Sequence, residues 1–153
     1  MIAPKLMKIA IASDHAGWGL KEAAGRLARE LGHEVEDLGT RDEQPVDYPD
    51  YAERVARRVA AGEADQGILV CGTGNGMCMT ANKVPGVRAA LAHDAYTAGM
   101  ARAHNDANIL CLGARATSPA TAEAAIRAWF ATSFEGGRHA GRVKKIRDLE
   151  TRR

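Results

Sequence analysis

The chain has 153 residues, 46% of them hydrophobic and 26% charged, with a formal charge of +2. Such a composition excludes a disordered tract or a disulfide-stapled miniprotein, and at this length one domain buries about 68–70% of its unfolded surface. The charge is uneven: residues 1–76 carry nine basic and 13 acidic side chains, residues 77–153 carry 12 and six, so the C-terminal half suits an anionic partner.

Residues 1–7 read as a leader and residues 8–153 as a single domain. Residues 8–12 (KIAIA) form an Ile-rich apolar run, a buried-strand signal. Leu20, Ala23, Ala24, Leu27, Ala28 and Leu31 then recur at helical spacing, with Gly32 placed to close the helix. Residues 34–38 suggest a weak second strand. Ala52, Val55, Ala56 and Val59 mark a second helix, entered through Pro49 and left at Gly62. Residues 67–71 (GILVC) are the clearest strand, followed by a glycine loop and a short helix to about Asn82. A fourth strand is expected over residues 87–92, then Asp94 as a helix N-cap. A fifth follows over residues 108–112, then a helix opened by Ser118-Pro119. Residues 137–153 read as a final basic helix.

This alternation predicts an α/β fold: a five-stranded parallel sheet covered on both faces, with ligands bound at the carboxyl ends of the strands. The longest uncharged run, residues 66–82, is too rich in Gly and polar residues to span a bilayer. The start lacks the apolar core of a secretion signal. Three cysteines cannot all pair internally, and no Cys/His spacing suggests a metal. A reduced, cytoplasmic setting is expected.

The strand ends select few chemical groups. Strand one ends in Ser13-Asp14-His15, strand three in Cys71 and its loop, strand five in Gly113-Ala114-Arg115. The loop Gly72-Thr73-Gly74-Asn75-Gly76 is neither a dinucleotide fingerprint nor a P-loop. It serves as a tight turn, or as backbone N–H groups aimed at an anion with a helix N-terminus behind them. Cys78 and Cys111 read as core filler. Cys71 differs because that helix N-terminus favours its thiolate, a group suited to moving a proton beside a carbonyl or attacking one. Arg138 and Arg142 share a helix face and repel each other by about 0.2–0.5 kcal/mol unless an anion such as phosphate sits between them. His104 and Asn105 precede strand five, so they fall at the sheet edge opposite Cys71. A His there is a cap, or it serves a neighbouring subunit.

Together these segments resemble the ribose-5-phosphate isomerase B family, which includes galactose- and allose-phosphate isomerases. The matching segments are Ser13-Asp14-His15-Ala16-Gly17, Asp47-Tyr48-Pro49, Cys71-Gly72-Thr73-Gly74-Asn75-Gly76, Ala81-Asn82-Lys83, His104-Asn105-Asp106-Ala107-Asn108, Gly113-Ala114-Arg115 and Glu135-Gly136-Gly137-Arg138-His139. The resemblance implies a three-layer α/β/α sandwich with a Rossmann-like sheet, and metal-independent aldose–ketose isomerisation of a phosphorylated sugar without a cofactor. It implies that His104 and Asp14 open the ring near Thr73, and that Cys71 is the thiol base. The amides of Gly72, Gly74, Asn75 and Gly76 would cradle the oxyanion. His15, Arg138 and Arg142 would grip phosphate, and Asn105 and Arg115 would line the sugar site. A second branch of the family uses a glutamate after the loop; here Met77 stands there and Cys71 is kept, which is the thiol branch. The resemblance also implies a homodimer with shared sites, with a tetramer left open.

Ribose 5-phosphate is the simplest substrate, with galactose 6-phosphate, allose 6-phosphate or a tetrulose phosphate as alternatives. A thiol hydrolase built on Cys71, His104 and Asp14 is a more distant class. An RNA-binding module is disfavoured by seven aromatics and the absence of RNP, KH or zinc signatures.

Overall fold

The computed structural model describes residues 5–152. The expected leader falls partly outside them, at residues 1–4, as does Arg153. Five strands form one parallel sheet: β1 (Lys8–Ser13), β2 (Glu34–Asp37), β3 (Gln66–Cys71), β4 (Ala89–Leu91) and β5 (Ile109–Gly113), in the order β2-β1-β3-β5-β4. Six helices connect and follow them: α1 (Trp18–Glu30), α2 (Tyr48–Ala60), α3 (Asn75–Ala81), α4 (Ala95–Asn105), α5 (Pro119–Ala131) and α6 (Arg138–Asp148).

Side chains alternate across each strand, so each central strand feeds two cores. Ile9, Ile11, Ile68, Val70, Leu110 and Leu112 pack against α1, α4 and α5. Ala10, Ala12, Leu69, Cys71, Ile109 and Cys111 pack against α2 and α3. This is the α/β/α sandwich that the resemblance implied. Trp129 of α5 reaches across the first core, and its indole N–H donates to Gln66 Oε1 at 2.8 Å.

The helix ends follow local chemistry. Asp94 accepts from Thr97 N at 2.8 Å in a reciprocal capping box, and Ser118 accepts from Thr121 N at 3.2 Å. Two elements are shorter than their sequence signal. Strand β4 covers only Ala89–Leu91, because Val87 is turned by a bond from its N–H to Val84 O. Helix α6 stops at Asp148, after which Glu150 N and Thr151 N close turns onto Arg147 and Asp148.

Strand order fixes where a ligand can sit. From β1 the chain moves to one side, to β2, and later returns to β1's other side as β3. The carboxyl ends of β1 and β3 therefore flank a topological switch point, where helices diverge to opposite faces and leave a crevice. No helix among the described residues is long and apolar enough to cross a membrane.

Candidate active site

The switch point gathers most of the expected residues. Asp14 is 7% exposed, and its N–H donates to Val70 O at 3.2 Å, which ties it beside Cys71. Its Oδ1 accepts from Gly17 N at 3.1 Å. Cys71 is 5% exposed, and Gly74 N donates to its sulfur at 3.2 Å. Asn75 N donates to Thr73 Oγ1 at 3.2 Å. Two of the loop's amides thus face the loop's own side chains.

Gly74 has φ +84°, and a Cβ there would overlap Leu91 Cδ1. Only glycine meets both demands without strain. Gly76 lies so close under the Tyr48 ring that a Cβ would collide with it. The loop is thereby pinned between β4, the end of β5 and the first residue of α2. Arg115 lies over Gly72: its Cδ and Nη1 are both 3.5 Å from where a Gly72 Cβ would stand. His15 is half-buried, and its Nδ1 accepts from Val46 N at 3.2 Å. Its neutral ring therefore carries the proton on Nε2, on the side free to donate.

The other expected residues lie elsewhere. In the β3–β5 ladder, Gly67 pairs with Ile109 and Cys71 with Gly113. Strand β5 thus runs about 13 Å between the two sheet edges, and His104 and Asn105 at the end of α4 belong to the edge away from Cys71. Their turn is cross-braced: Asp106 takes the left-handed conformation at φ 45°, and Arg88 Nη2 donates to its carbonyl at 2.8 Å. Asn108 Oδ1 accepts from Arg88 N at 2.8 Å. Asp106 and Asn108 hold the turn, which leaves His104 and Asn105 as the presented groups.

His104 stacks on His139, ring centroids 4.1 Å apart and planes 11° apart. Glu135 Oε1 is 3.8 Å from His104 Nε2 and 3.7 Å from His139 Nε2. Arg138 and Arg142 flank His139 on the first turns of α6, both exposed. Burial first, then the charges of His104, Arg138 and Arg142, lower the His139 pKa, with Glu135 opposing them.

One chain therefore holds two separate groups. Asp14, His15, Cys71, Thr73, the loop glycines, Asn75 and Arg115 share the switch point. His104, Asn105, Arg138 and Arg142 gather around α4 and α6. Tyr48, Glu135 and His139 stood in the matching segments, but the sequence did not show what they touch. Tyr48 against Gly76 and the His104–His139 stack join residues far apart in the chain. Glu135 had a signal, standing four residues before His139 within the matching segment. Cys78 and Cys111, read as filler, share a hydrogen bond that lowers the Cys78 pKa. That bond and burial raise the Cys111 pKa well above its ordinary value.

A thiol, carboxylates, imidazoles and guanidinium groups are suited to proton transfer on a small anionic molecule. Residues 9–146 match the sequence profile of the Ribose/Galactose Isomerase family. Ribose-5-phosphate isomerase B of Escherichia coli is 44% identical over 148 residues, covering 97% of this chain and 99% of that protein. A ribose-5-phosphate isomerase B structure from Clostridium thermocellum superposes with a TM-score of 0.93 at 48% identity, covering 95% of this chain and 98% of the other. The Mycoplasma genitalium enzyme, solved with bound ribulose 5-phosphate, gives 0.92 at 42% identity, covering 95% and 97%. The chain belongs to the ribose/galactose isomerase family, and it is an isomerase.

Proposed function

We propose that the chain interconverts ribose 5-phosphate and ribulose 5-phosphate without a metal, in the cytoplasm, as a step of the pentose phosphate pathway. It works as a homodimer in which each site takes residues from both subunits. The separation of the two residue groups within one chain carries the shared-site reading. Cys71 and Asp14 stand at one sheet edge, and His104 with the α6 arginines stands at the other. A two-fold dimer that presents one subunit's α4–α6 end to its partner's switch point makes two complete sites.

In such a site the partner's His104 donates a proton to the furanose ring oxygen while Asp14 takes the anomeric hydroxyl proton, which opens the ring to the aldehyde. Cys71 as thiolate then removes the proton from C2 and leaves an enediolate. Gly74 N–H faces the sulfur at 3.2 Å, a donor placed to stabilise negative charge there during the reaction. The loop's other N–H groups bind the developing oxyanion, each worth about 3 kcal/mol in such a cradle. A proton passes from O2 to O1, the thiol returns its proton to C1, and the enediolate collapses to the C2 ketone. The phosphate is held by His15 Nε2–H and, from the partner, Arg138 and Arg142. Asn105 and Arg115 contact the sugar hydroxyls.

The substrate is tested by assaying C4 to C6 aldose phosphates with the wild type and the Cys71→Ala variant. Ribose 5-phosphate is expected to give the highest kcat/KM, with solvent deuterium entering at C1 of the ketose product and at C2 of recovered aldose, and no trapped acyl-enzyme. Full activity in Cys71→Ala would remove the assigned base. The shared site is tested by exchanging subunits between inactive Cys71→Ala and His104→Ala variants. Random exchange restores about a quarter of wild-type activity, because half the dimers are mixed and each has one intact site. No recovery after verified exchange rejects the arrangement.

A further inference from the structure

His104, Glu135 and His139 offer more than proton transfer requires. One ligand atom from each lies within 4.8 Å of the others. The carboxylate oxygen is 3.8 Å from His104 Nε2 and 3.7 Å from His139 Nε2, both too long for hydrogen bonds. A tetrahedral metal with bonds of about 2.0–2.2 Å to nitrogen and oxygen keeps its ligand atoms about 3.4 Å apart. The two nitrogen–oxygen gaps exceed that edge by a few tenths of an ångström, and the two ring nitrogens lie within 4.8 Å of each other.

A second observation is independent of this spacing. The His139 side chain is only 8% exposed, and its Nε2 has no hydrogen-bond partner among the described residues. A buried ring nitrogen without a partner is uncommon and calls for an explanation.

The open side of the cluster suits an exchangeable ligand. His104 and Glu135 side chains are 37% and 56% exposed in the single chain, and in the proposed dimer that side faces the partner's crevice, from which a water reaches the fourth position. The Glu135 backbone is anchored beside His104 by its N–H donating to Ala103 O at 3.0 Å. The rings stack nearly parallel, so the exposed His104 ring must tilt for both nitrogens to reach one cation. Arg138 and Arg142 oppose a cation electrostatically, which makes the site weaker than a structural zinc centre. Two imidazoles and one carboxylate select a borderline cation over magnesium or calcium.

We propose that His104, Glu135 and His139 bind a single Zn²⁺, and that occupancy takes His104 out of proton transfer and inhibits an isomerase that needs no metal. The inhibitory effect rests on the proton-donor role proposed for His104, whereas the site itself does not.

The metal-free protein is titrated with Co²⁺, a spectroscopic substitute for Zn²⁺, and with Zn²⁺ by calorimetry. One equivalent per chain is expected, with the visible bands of a tetrahedral nitrogen–oxygen complex. Affinity should fall roughly tenfold or more in Glu135→Gln and His139→Gln. Zn²⁺ should inhibit the wild type with a midpoint that tracks its dissociation constant, and a chelator should restore activity. Absence of stoichiometric binding overturns the site. So does unchanged binding in both variants with a sulfur-to-cobalt charge-transfer band, which puts the cation on a cysteine. Glu135 is exposed, so its variant decides the matter if His139→Gln fails to fold. Binding that both variants lose, without inhibition of the wild type, upholds the site and overturns the role of His104.

Discussion

The two ends of the sheet are built on different terms. At the carboxyl end, Cys71 and Asp14 are 5% and 7% exposed, and each is tied by backbone hydrogen bonds to neighbours in the core. At the amino end, Arg138 and Arg142 are exposed on a helix, and His104 is steadied by its ring stack on His139. The difference suits the roles proposed for Cys71 and the α6 arginines. A base must sit within a fraction of an ångström of a carbon-bound proton, so its position belongs in the rigid core. A phosphate grip tolerates adjustment, because charge-assisted bonds act over a wider range of geometry.

This comparison can be broken by substitution at either end. Cys71→Ala should have the largest effect, a fall of roughly 10²–10⁴ in kcat with little change in KM, read from steady-state kinetics. A rise in KM with kcat nearly unchanged would mean that the thiol binds rather than reacts. Arg142→Ala should act the other way. Loss of one charge-assisted bond of about 1.5–3 kcal/mol raises KM for ribose 5-phosphate about 10- to 150-fold and leaves kcat closer to the wild type. Inorganic phosphate should then inhibit the variant less than the wild type.

Gly74→Ala sharpens the claim of rigidity. Its φ of +84° and the overlap with Leu91 predict a loss of about 1–3 kcal/mol in denaturant unfolding. The accompanying fall in kcat should exceed that of an equally destabilising change in α5. The smallest effect concerns pH. The folded state keeps His139 below its ordinary value of 6.5, so it binds fewer protons than the unfolded chain. Stability is then full above about 6.5 and declines as the pH falls below it. Melting temperatures between pH 7.5 and 5 should show this slope, and His139→Gln should flatten it. Some slope remains, because burial lowers the His33 pKa in the same direction.

The sheet was legible because its central strands are short apolar runs bounded by glycine and polar residues, as in residues 67–71. The carboxyl-end group was legible for a topological reason: once parallel strands are placed, their last residues share an edge. The amino-end group was only half legible. The position of His104 away from Cys71 followed from chain order, but its stack on His139 spans 35 positions and leaves no periodic trace. Tyr48 over Gly76 is hidden for the same reason: a loop glycine reports that something comes close without saying what. The ends of β4 and α6 were overread because hydrophobic and basic composition continued past the last ladder or helical bond.

The Cys78–Cys111 pair has a practical consequence for anyone labelling this protein. Cys78 is partly exposed with a lowered pKa, whereas Cys111 is fully buried and Cys71 nearly so. Alkylating reagents consume thiolates, so the first equivalent of iodoacetamide modifies Cys78. Inactivation therefore lags behind label incorporation. A stoichiometry of one label per chain marks a bystander thiol, and peptide mapping rather than a count of titrated thiols identifies the residue whose loss stops turnover.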